Sequence, residues 1–128
     1  MSRFVLDTSV FIAREQARPV TALPQGSEAA VSVVTLAELR LGVLVATETA
    51  RRSIRLITYE AASAFEPLPI DAAVAERFAE LAALGLASGH KVKVQDTWIA
   101  ATALVHDASV ATQDGDFDGF DGLTVVRV

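Results

Sequence analysis

The chain has 128 residues, 52% of them apolar and 6% aromatic, with no cysteine and a formal net charge of −5. That length predicts one domain over residues 1–128, burying about two-thirds of the surface its unfolded chain exposes. The composition excludes disulfides, Cys-based zinc sites and thiol catalysis, and the negative charge argues against a binder that blankets phosphates with Lys and Arg, though not against an enzyme in which a cation supplies the positive charge.

Residues 3–6 (RFVL) read as a short apolar strand, and DTSVFIAREQ after them carries Asp, Thr and Ser where a helix begins. Asp7 also cuts the apolar start where a signal peptide would continue, and no uncharged run approaches the ~20 residues of a membrane helix, so a soluble, cytoplasmic protein with no membrane partner is expected. Two prolines and Gly26 make 19–27 a loop, and AAVSVV is strand-like again. Thr35 then opens a helix through LRLGVLVA, with Glu38 at capping-box spacing. Residues 48–66 predict an amphipathic helix whose basic face carries Arg51, Arg52 and Arg55, ended by Pro67 and Pro69. A short strand is expected over 68–70. Asp71 caps a long helix closed by Gly85 and Gly89. Asp96 stands ahead of the helix TWIAATALVH, and SVAT and LTVVRV are strands around the acidic loop QDGDFDGFDG. Strands alternating with helices imply an α/β fold with a parallel sheet covered on both faces.

Singly, the acidic residues have ordinary explanations. Asp7 and Asp96 suit helix caps, Glu38 a capping box, and Asp114, Asp116, Asp118 and Asp121 a turn. Together they point elsewhere, because the positions following parallel strands gather at one sheet edge, where ligands bind. Asp7, Glu38, Asp96 and Asp114 would converge there. Like charges at short range raise one another's pKa unless a cation neutralises them. Oxygen-only donors point to Mg²⁺, or Mn²⁺, rather than zinc. Such an ion polarises a phosphoryl group and acidifies water, so no protein nucleophile is needed for phosphodiester hydrolysis.

The ordered set FVLDTSVFIA, SVVTLAELRLGV, GHKVKVQDTWIAATAL and VATQDGDF resembles the PIN-domain ribonucleases, in particular the VapC toxins of bacterial toxin–antitoxin pairs. The resemblance spans nearly the whole chain. It implies a three-layer α/β/α domain with a central, mostly parallel sheet, metal-dependent cutting of RNA, a homodimer, and inhibition by a cognate VapB-like antitoxin. It assigns the family's acidic positions to Asp7, Glu38, Asp96 and Asp114, with Asp116 a further candidate ligand. Asp7 and Asp96 carry the primary metal in this reading, while Glu38 and Asp114 hold a water or a second metal. Thr112 orients an aspartate, and Thr8 and Ser9 support the turn or the ligands behind the metal.

Other residues divide between two readings. His90, Lys91 and Lys93 either contact a substrate phosphate or belong to a solvated loop. Trp98 suits packing better than base stacking, and His106 a helix C-terminus better than catalysis. The arginine face guides RNA or meets an acidic antitoxin segment, or is simply solvated. Leu41, Val43 and Leu44 exceed what one sheet face needs and suit a dimer seam or a groove for an antitoxin helix. Rival functions fit less well. A phosphoacceptor receiver domain needs paired acids near its first helix and a late Lys, but LDTS supplies one acid and no Lys follows position 93. A haloacid-dehalogenase-type phosphatase needs an acid where Ser9 stands. GLASGHK has glycines too close for a phosphate loop. A PIN-like binding module without catalysis is the remaining alternative.

Overall fold

Phe4, Val5 and Leu6 are almost fully buried, on alternating faces, and this makes β1 (Arg3–Leu6) the central strand. Phe4 and Leu6 pack with Phe11, Leu39 and Ala62 on one face, whereas Val5 meets Val74, Leu81, Ile99 and Phe117 on the other. The computed structural model describes residues 2–128. Around β1 lie β2 (Glu28–Ser32), β3 (Glu66–Leu68), β4 (Ser109–Thr112) and β5 (Val125–Arg127), with helices α1 (Thr8–Glu15), α2 (Val33–Val45), α3 (Thr49–Ser63), α4 (Ala72–Ala87) and α5 (Val94–Val105). The sheet is wholly parallel, in the order β3-β2-β1-β4-β5. Two cores, one on each face, give the three-layer α/β/α arrangement that the sequence predicted.

From β1 the chain winds outward through β2 to β3, then crosses back to β4 on the other side. The strand order therefore reverses at β1. In open parallel sheets a crevice forms at such a reversal, beyond the carboxyl ends of the strands. Here it opens between β1 and β4, whose ends are tied by Asp7 N donating to Ala111 O at 2.9 Å.

Several boundaries differ from the expected ones. Val33 and Val34 begin α2 instead of extending β2, because Ser32 acts as N-cap and accepts from Val34 N at 3.1 Å. Thr35 is consequently buried within the helix, and its capping box with Glu38 does not form. Helix α3 stops at Ser63 so that Glu66–Leu68, rather than 68–70, can pair with β2. Pro67 is tolerated there because β3 is an edge strand, where a missing N–H removes no second ladder. Asp71 caps α4 through Val74 N at 3.0 Å, as expected, but Gly85 lies inside that helix, which ends before Gly89 with φ of 77°. Helix α5 starts at Val94, placing Asp96 in its first turn instead of ahead of it.

The α3 arginines bind the protein itself. Arg52 donates to Ala46 O at 2.6 Å and Arg55 to Gly42 O at 2.7 Å, both at the end of α2, where carbonyls lack helical partners. Two of the three arginines are thus engaged with α2 instead of forming a free basic face. Trp98 stacks on Phe78 at 3.9 Å between α5 and α4, the packing role expected of it. Among the described residues no helix is long and apolar enough to cross a membrane.

Candidate metal centre

Asp7 follows β1 directly and caps α1, its carboxylate accepting from Ser9 N at 3.4 Å. It is only 5% exposed. The same oxygen, Oδ2, accepts from the Ser9 hydroxyl at 2.6 Å and from Thr112 Oγ1 at 3.0 Å. Ser9 has one proton and gives it to Asp7, so its oxygen is free to accept from Gln113 N at 3.0 Å. Two hydroxyls from opposite sides of the crevice therefore fix one oxygen of Asp7. Burial still outweighs these bonds and raises the Asp7 pKa, and the charge of Asp114 adds to the effect.

Glu38 comes from the second turn of α2 and accepts from Thr8 Oγ1 at 2.9 Å, while Thr8 lies 3.0 Å from Thr35 Oγ1. Burial raises its pKa against the Thr8 bond, with Asp7 contributing repulsion. Asp96, half-buried in the first turn of α5, is pushed up to about 6 by burial and then by Asp7, Asp116 and Asp114, with Lys93 opposing. Asp114 follows β4, and its Oδ1 lies 3.4 Å from Thr112 Oγ1 and accepts from Asp116 N at 3.1 Å. Asp7 thus senses Asp114, Glu38 senses Asp7, and Asp96 senses three of the others.

The five carboxylates share one sheet edge, but they are not arranged as a closed chelate. Among the described residues no three His, Asp or Glu groups stand together as a metal-binding cluster. Ser9 and Thr112 hold Asp7, Thr8 holds Glu38, and Lys93 draws Asp116 into an exposed ion pair at 3.3 Å. Among the described residues Asp7, Glu38, Asp96 and Asp114 make no salt bridge, and Lys93 acts on Asp96 only from a distance. Hard oxygen donors that raise one another's pKa fit a small divalent cation by their chemistry.

Lys93, a candidate for a substrate phosphate or a solvated loop, pairs with Asp116, and His90 and Lys91 are exposed beside it. Three contacts carried no sequence signal, although Thr35 and Lys93 stand out in the sequence as a helix opener and a phosphate candidate. Thr35 lies in the Thr8–Glu38 network, Lys93 neutralises part of the centre, and Gln113 ties the crevice to the C-terminus by donating to Pro19 O and Val128 O. Asp118 is a structural loop residue, paired with Arg127 at 2.7 Å.

Comparison with known proteins bears on this geometry. The sequence pattern of the PIN domain matches residues 4–123. Ribonuclease VapC4 of Mycobacterium tuberculosis is 44% identical over 126 residues, covering 98% of this chain and 97% of the relative. Ribonuclease VapC5 of the same organism is 44% identical over 124 residues, covering 97% and 92%. A crystal structure of a member of the VapBC family of toxin-antitoxin systems, VapBC-5 from M. tuberculosis, matches with a TM-score of 0.84 at 42% identity over 100% of both chains. VapBC2 of Rickettsia felis, bound to a promoter DNA fragment, is 20% identical with a TM-score of 0.83 over 98% of each chain, and so shares the fold. The chain belongs to the PIN-domain family, and within it to the VapC proteins.

Proposed function

We propose that this protein is a metal-dependent endoribonuclease, the toxin of a toxin–antitoxin pair, using Mg²⁺ or Mn²⁺ held by Asp7, Asp96, Glu38 and Asp114. One observation carries the reading. A nearly buried aspartate stands where the strand order reverses, Asp114 raises its pKa, and Glu38, Asp96 and Asp114 share its sheet edge without a salt bridge among the described residues. The names of the 44%-identical relatives support RNA as the substrate.

A bound divalent ion supplies polarisation of a phosphoryl oxygen, relief of the charge that develops there, and acidification of water. The chain's own residues prepare the site for it. Ser9 and Thr112 fix one oxygen of Asp7 and leave the other available, and Thr8 does the same for Glu38. Asp96 enters from the first turn of α5, where the positive helix N-terminus favours its ionised form. Lys93 and Lys91 border the acidic edge and are suited to hold the phosphates flanking the cut.

The solved neighbours titled as toxin-antitoxin complexes support a VapB-like antitoxin as inhibitor. A docking face for an antitoxin or for a second copy is offered by α2 and α3. Val43 is in the core, but Leu41, Leu44 and Val45 on α2 and Ile54 and Ile57 on α3 are all more than half exposed. The function is tested by incubating total cellular RNA with the purified, antitoxin-free protein. Discrete fragments requiring Mg²⁺ or Mn²⁺ and lost in EDTA and in Asp96→Asn are expected. Uncut RNA with folded, metal-loaded protein and a full range of RNA substrates would refute it.

A further inference from the structure

A cleft of about 650 Å³ adjoins the acidic edge and reaches away from it between α4 and the loop after β4. Its volume is within the ~300–1,000 Å³ typical of ligand sites. Leu81, Leu84, Gly85 and Ser88 line one wall. These positions follow helical spacing, so they form a single face of α4 continued by its C-cap, Ser88. Phe120 and Gly119 belong to the other wall, and His90 and Lys91 to the rim. At the end nearest the catalytic carboxylates lie Lys93, Thr97 and Asp116.

The chemistry of this cleft changes along its length. Beside the carboxylates it holds Lys93 paired with Asp116, Lys91 on the rim makes no salt bridge among the described residues and is open to a phosphate, and further out the lining is mainly apolar, with Phe120 beside Asp121. A single-stranded nucleic acid presents the same sequence of groups, a backbone phosphate and then a flat base, and unpaired bases are commonly held on aromatic side chains. We infer that the cleft receives an unstacked base of the RNA strand next to the scissile phosphate, with Phe120 as its stacking wall and Lys91 on the adjoining phosphate. The inference rests on the ribonuclease reading and extends it, placing sequence preference in the α4 face and the β4–β5 loop instead of in the carboxylates.

Gly85 gives a direct test. A Cβ built there meets no heavy atom within 4 Å, and its position on the α4 wall directs a larger side chain into the cleft. Leucine is also a better helix former than glycine, so Gly85→Leu fills the cleft without weakening α4. Ala83→Leu, exposed on the opposite side of the same helix, is the control. Binding of labelled A, C, G and U homo-octamers and of an abasic octamer is measured by fluorescence anisotropy, with divalent metal removed so that nothing is cut. The wild-type chain is expected to bind at least one base-bearing octamer roughly tenfold or more tightly than the abasic one. Gly85→Leu and Phe120→Ala lose that preference and keep the abasic affinity, while Ala83→Leu retains both. Equal binding of abasic and base-bearing strands, or an unchanged preference in Gly85→Leu, overturns the inference. A base preference that depends on the cleft, in a protein that never cuts RNA when metal is restored, refutes the nuclease reading and leaves the cleft assignment standing.

Discussion

Thr112 has a larger role than its size suggests. Buried at the end of β4, it gives its proton to Asp7 and accepts from Asp114 N at 3.3 Å. Groups that orient metal ligands typically contribute 10–100-fold in affinity or activity. Thr112→Val keeps the shape and removes the donor, so single-turnover RNA cleavage should fall by roughly 10–100-fold with the fold intact, and Thr112→Ser should restore most of it. A Thr112→Val protein of wild-type activity would remove Thr112 from the site. Asp96 makes a second prediction, with a definite sign. Its folded pKa, about 6, lies above its ordinary 3.8, so the folded state holds the proton more tightly than the unfolded one. This contribution to stability is complete below about pH 4 and is lost as pH rises through about 6. Metal-free protein should therefore lose Tm between those values, and Asp96→Asn should show a smaller loss across the same interval. Thermal scans of both proteins against pH provide the check, and parallel curves would contradict it.

Among the elements, those whose caps were unambiguous were legible in advance and those with competing caps were not. Asp71 precedes a long apolar-patterned run, and α4 begins where expected. Asp71→Ala should cost about 1 kcal/mol, measured by denaturant unfolding. At the start of α2, Ser32 and Thr35 are both good caps three residues apart, and the choice went to Ser32 because Val34 packs into the core from the helical position. The α3 arginines illustrate a different limit. Their spacing reveals an exposed basic face, but the carbonyls that receive Arg52 and Arg55 belong to the preceding helix and leave no local trace in the sequence. Arg55→Met retains much of the side-chain stem and leaves the Gly42 carbonyl without its donor, and should destabilise by about 1–2 kcal/mol. RNA cutting should be unaffected, since neither α3 nor the end of α2 supplies a proposed ligand.

At the scale of the whole molecule, the alternation of strands and helices announced the parallel sheet, and the positions of Asp7 and Asp114 after β1 and β4 placed them at its reversal point. The sequence therefore brought the acidic residues to one edge. The hydroxyls of Thr8, Ser9 and Thr112 were expected behind the ligands, but the Lys93–Asp116 pair and the Gln113–Ser9 link join segments distant in the sequence and left no local trace. The proposed function requires this edge to hold a divalent cation. Calorimetric titration of Mn²⁺ into metal-free protein tests it most directly, at pH 7.5 and pH 5, for wild type and for Asp7→Asn. Binding at pH 7.5 that weakens at pH 5, as Asp96 takes up a proton, and that disappears in Asp7→Asn is predicted. Equal Mn²⁺ binding by wild type and Asp7→Asn would contradict the account.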